Sequence, residues 1–82
     1  MLNIIDLYVQ NLKKEDIINF GKKNNITLSD DELDFTYNLI KNDYKKILQN
    51  KEAFDLSAYR NNFTTENYQK IEELIKKYIS YL

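Results

Sequence analysis

Four carboxylates within five residues, Asp30, Asp31, Glu32 and Asp34, are the densest group of chemically capable side chains in this sequence. The alternation Asp30, Glu32, Asp34 imitates the first ligands of an EF-hand calcium loop. Such a loop needs glycine at its sixth position and a carboxylate at its twelfth. Here those places hold Phe35 and Lys41. The same acids fit better as the opening turn of a helix, where the macrodipole favours negative charge. Ser29 and Glu32 have the S-x-x-E spacing of a capping box, and Leu28 and Leu33 fall where a hydrophobic staple would clip together. Just upstream, Asn25 (after Asn24) suits the left-handed position that ends the preceding helix. The whole stretch from Ile26 to Leu33 thus reads as one helix stopping and the next starting.

Other chemistries are excluded by residue type. Cysteine and histidine are absent, which removes disulfides, zinc fingers, thiol nucleophiles and imidazole bases. The serines are Ser29, Ser57 and Ser80, and none lies in a G-x-S-x-G elbow. Glu72 and Glu73 each have a lysine four residues on, and the acids from Asp30 to Asp34 fall on a solvent-facing helix start. No carboxylate is expected in an apolar setting that would raise its pKa. These observations argue against an enzyme, and they imply no catalytic residue, no cofactor and no metal.

Two binding readings remain. The helix pair around Ile26–Leu33 has the outline of a helix-turn-helix, whose second helix presents its N-terminal residues to base edges. Four acids at that end would face the phosphates that supply most of the affinity, and guanine readout wants arginine or lysine there. Nucleic acid is therefore the weaker alternative. Lys41, Lys45, Lys46 and Lys51 form a basic strip, better read as a solvated face and a complement to a helix C-terminus. Seven tyrosines are many for this length. Tyr8, Tyr37, Tyr44, Tyr68 and Tyr78 fall on core-facing stripes, as packing residues with a polar tip. Tyr59 and Tyr81 are less determined by pattern and are the candidates for an exposed patch that docks a partner.

The elements that position these residues follow from periodicity. The chain has 82 residues, 43% of them hydrophobic, with no proline and a single glycine, Gly21. That is one domain with material for one core, and it nearly removes tight hairpins and glycine-cradled phosphate loops. A first helix is expected over residues 2–11, with Ile4, Ile5, Tyr8, Val9 and Leu12 as its stripe. A second covers 14–24, with Ile17, Phe20 and Gly21 on one face. A third starts at Asp30; Asn42-Asp43 could end it at 42, but the seam Leu33, Tyr37, Ile40, Tyr44, Ile47 carries on to Leu48. Phe35 and Leu39 point to its opposite side, which places this helix in the middle of a bundle. A weaker pattern over 51–62 suggests a short fourth helix. Thr64 then caps a fifth, over 65–81, with Glu66–Lys70, Glu72–Lys76 and Glu73–Lys77 in the favoured Glu-to-Lys order on its outer face. The start lacks the basic n-region of a signal peptide, and no apolar run approaches the ~20 residues of a membrane span. The expectation is a cytoplasmic, all-α compact bundle of four or five short helices in a single domain, 1–82.

Asn3-Ile4-Ile5, the stretch from Glu15 to Ile26, Leu28-Ser29-Asp30-Asp31-Glu32-Leu33 and Phe63-Thr64-Thr65-Glu66 resemble the YqfT-like proteins of Bacillota. Gly21 stands where that resemblance leads one to expect alanine. The family is helical and has no assigned activity, so the resemblance implies a bacterial, cytosolic helical fold and carries over no site. The function expected from the residues is a non-enzymatic module that binds another protein or a second copy of itself.

Overall fold

The computed structural model describes residues 4–50 and 54–79. The protein is all-α, and among the described residues there is no strand. Its elements are α1 (Ile4–Gln10), α2 (Lys14–Lys23), α3 (Asp30–Gln49), a 3₁₀ helix (Leu56–Asn62) and α4 (Thr65–Ile79).

The 20-residue helix α3 is about 30 Å long and is the hub: α1, α2 and the 3₁₀ helix pack on it, and α4 meets the 3₁₀ helix. The molecule measures 38 × 27 × 20 Å. Its short axis is thus only about two helix diameters, so there is no enclosed middle layer. That explains why no large side chain among the described residues is fully buried, and why Val9, Leu12, Ile17, Ile26, Leu56 and Tyr68 form a thin core. It also explains why Leu33, Phe35, Tyr37, Leu39, Ile40, Tyr44 and Ile47 of α3 are half-buried.

Helix α2 ends in a Schellman motif. Asn25 adopts φ 62°, the Ile26 amide donates to Gly21 O (2.8 Å) and the Asn25 amide to Lys22 O (3.2 Å). These are the 6→1 and 5→2 bonds of that turn. Gly21 is required by its packing: a Cβ there would lie 2.9 Å from the Ile26 carbonyl oxygen. At the other end of α2 the Asp16 carboxylate accepts from the Lys13 amide (2.9 Å).

The later of the two ends open to α3 holds: it runs through Asn42-Asp43 to Gln49, because neither residue outweighs an apolar seam that continues past them on both faces. Two expectations need correction. The fourth segment is a 3₁₀ helix preceded by extended Asp55, whose carboxylate caps the Ser57 amide (2.9 Å); residues 51–53 lie outside the described residues. Ser, Asn and aromatic residues favour neither a long α-helix nor its propagation. Three residues per turn also place Leu56 and Tyr59 on one side. Tyr59 packs there on Phe35 (5.5 Å between centroids) and on Phe54 (6.3 Å), while Phe63 meets Phe35 edge-on (5.6 Å). The second correction concerns α1: Ile4, Ile5 and Tyr8 are exposed, and Asp6 is buried beside Val9.

Candidate functional site: a polar junction and an uncovered helix face

Two places in this fold depart from the usual distribution of polar and apolar groups. The first is built on Glu32, which is only 4% exposed. Its Oε1 accepts from the Ser29 amide (2.8 Å), and its own amide donates to Ser29 Oγ (3.2 Å), completing the capping box of α3. Its Oε2 accepts from the amide of Thr64 (2.9 Å), the residue that caps α4 by taking the Asn67 amide on Oγ1 (3.1 Å). Asn67 in turn donates from Nδ2 to Glu32 Oε1 (2.9 Å) and to Thr27 O (2.9 Å). Asn67 holds the place from which a capping box of α4 would reach back to Thr64, but Glu32 fills that role from a different helix. One carboxylate therefore closes two helix starts, its own and one whose cap, Thr64, lies 32 residues further along the chain.

Burial opposes ionisation of Glu32, but the donors from Ser29, Thr64 and Asn67 outweigh it and hold the carboxyl below its ordinary range. The expectation that every acid of the cluster is solvated is thus corrected for Glu32. The shift is opposite to that of a general acid, which needs a raised pKa. Its neighbours are disposed differently: Asp34 pairs with Lys14 (2.6 Å) and Asp30 and Asp31 are exposed. Among the described residues, no group of three or more acids comes together as a metal site.

The second place is α1. Asp6 is buried and accepts from the Tyr44 hydroxyl, which pushes the Tyr44 pKa up by hydrogen bonding first and burial second. Lys41 donates to Gln10 O (3.0 Å). These two contacts and Val9 turn α1 onto the C-terminal half of α3 and leave Ile4 (85% exposed), Ile5 (45%), Leu7 (47%) and Tyr8 (65%) in solvent. Periodicity points the other way, since Asp6 and Gln10 fall on one side of α1 at i,i+4 and would read as its solvent face.

Of the other sequence candidates, Asn25 and Thr64 stand at helix ends as described. Tyr59 is half-buried in the aromatic cluster with Phe35 and Phe54, and Tyr81 lies outside the described residues. Lys41 is held by Gln10 O and the Tyr37 ring, Lys45 and Lys46 are exposed, and Lys51 lies outside the described residues. Glu66–Lys70 (3.1 Å) and Glu72–Lys76 (3.8 Å) pair as expected. An open groove of about 300 Å³ between the end of α2 and α4 is crossed by Lys70, whose amine already donates to Asn25 O (2.9 Å) and pairs with Glu66. That volume is at the lower limit for a ligand pocket. No described helix is long and apolar enough to cross a membrane.

No family model, curated protein or solved structure matches this sequence.

Proposed function

We propose that this protein is a non-enzymatic, cytoplasmic helical module that binds another protein, a second copy included, through the uncovered face of α1. Kinship with the YqfT-like proteins belongs to the same proposal and rests on Asn3-Ile4-Ile5 and on the stretches from Glu15 to Ile26, from Leu28 to Leu33 and from Phe63 to Glu66. The observation that carries the functional reading is the exposure of Ile4, Ile5, Leu7 and Tyr8 within five consecutive residues. Contiguous exposed apolar surface of this kind marks contact sites in soluble proteins. Supporting it, the one strongly buried acid of α3 is tied into two helix caps. The exposed acids Asp30 and Asp31 at the start of α3 speak against a nucleic-acid partner at that end, where phosphates would be repelled.

Light scattering of the purified chain and a tagged pull-down from native lysate test the reading together. A mass above that of the monomer, or a specifically retained protein, is expected, and either should be lost with Ile4→Glu. A strict monomer that retains nothing would overturn it.

A further inference from the structure

Helix α1 turns its polar pair, Asp6 and Gln10 at i,i+4, toward α3 and carries its apolar residues outward. Ile4, Ile5, Leu7 and Tyr8 are exposed as a result. Contiguous apolar surface of that kind is ordinarily covered. Among the described residues α3 is its main packing partner, and seven residues are too few to hold a helix by backbone bonds alone. Something should lie on its outer side.

We propose that the occupant is α1 of a second copy, packed against the first across a two-fold axis. The proposal deepens the docking role assigned above and rests on it. Three observations select a copy of this chain. First, α1 exposes no charge: its sole ionisable group apart from Tyr8 is Asp6, which is buried against Tyr44. A two-fold contact sets the same patch against itself, so charges at the centre of it would repel. Second, the polar group of that face, the Tyr8 hydroxyl, both donates and accepts. It can pair with its own counterpart. Third, the area is adequate. The contacts Asp6–Tyr44 and Gln10–Lys41 run α1 antiparallel to α3, which brings the start of α1 toward exposed Leu48 at the end of α3. Counting a whole large side chain at roughly 150–200 Å², the exposed parts of these five apolar residues amount to something on the order of 500 Å². That is the apolar centre of a standard interface, which with its polar rim removes about 800 Å² from each partner.

Lys45 and Lys46 are exposed within one turn of Leu48. Like charges at the rim of an apolar contact make association hold or tighten as salt rises, whereas an acidic partner would be released.

Analytical ultracentrifugation of the purified chain over a wide concentration range, at low and at high salt, tests this. The expected result is a mass approaching twice the 9.9 kDa of one chain, undiminished by salt. The double variant Ile4→Glu, Tyr8→Glu should sediment as a monomer with an unchanged circular-dichroism spectrum, while Phe20→Glu on α2 should still pair. A wild-type chain that is monomeric throughout overturns the second copy. If that monomer still retains a partner that the double variant loses, the docking face stands and only its occupant was wrong. A dimer that survives the double variant also overturns the proposal, because the interface then lies elsewhere.

Discussion

The Glu32 junction and the outer face of α1 reverse the usual placement of side chains in opposite ways. At the junction a carboxylate goes inside, and it succeeds because Ser29, Thr64 and Asn67 meet its oxygens with donors. On α1, isoleucine, leucine and tyrosine stay outside, because the contacts that orient the helix, Asp6 to Tyr44 and Gln10 to Lys41, face α3 and turn them away. A buried polar network specifies geometry, since its groups are costly unless all partners are in place. An exposed apolar face specifies nothing within the chain and is available for contact. The comparison teaches that this small protein fixes its fold through polar bonds and keeps apolar surface in reserve.

The sharpest way to break that contrast is at the carboxylate. Glu32→Ala leaves the Ser29 and Thr64 amides and the Asn67 side chain without their acceptor. At about 1–3 kcal/mol for an orphaned buried donor, partly relieved by water, the loss should be about 3 kcal/mol in urea unfolding. A loss below about 1 kcal/mol would mean that the junction does not hold α4. The pH dependence follows the same bond. A carboxyl held below its ordinary 4.5 when folded contributes its stability in full above that value and loses it as pH falls through the lowered folded value. The wild-type chain should therefore weaken on acidification below about pH 4.5, and Glu32→Gln should flatten that acid limb.

Next in size is Gly21→Ala. Alanine would favour the helix by about 1 kcal/mol, but its Cβ meets the backbone of a turn fixed by two hydrogen bonds. Displacing that turn costs more, and a net loss of about 1–2 kcal/mol is expected; a gain in thermal stability would show that the turn yields. Ser29→Ala removes one cap acceptor while Glu32 keeps its other partners, and should cost about 1 kcal/mol. The smallest effect belongs to the other region. Ile4→Glu should leave the unfolding free energy of the monomer within about 0.5 kcal/mol, measured at a concentration where any association is negligible. A larger loss would mean that the α1 face is packed after all.

Much of this fold is legible in the residues. Ser29-x-x-Glu32, the Asn pair after α2 and Thr64 before α4 mark helix ends through bonds made within a few residues, so their chemistry is readable locally. The stripe of α4 and its Glu–Lys pairs are readable for the same reason. The 3₁₀ segment was not, because steps of three in Leu56-Ser57-Ala58-Tyr59 fit two helix types and the choice was made by Tyr59 packing between Phe35 and Phe54. The second role of Glu32 was equally hidden: nothing near residue 32 announces that its other oxygen will close a helix beginning at residue 65.

The sequence by itself determined that the chain is helical, where most helices start and stop, and which reactive groups it lacks. These are properties of residue type and short-range hydrogen bonding. Only the tertiary structure decided which side of α1 faces inward and which acid is buried. The polar side of α1 reads as its outer face until Tyr44 and Lys41 draw it inward, and a carboxylate has no intrinsic depth. Both are set by partners brought from 32 to 38 residues away, through the Thr64 amide and the Tyr44 hydroxyl.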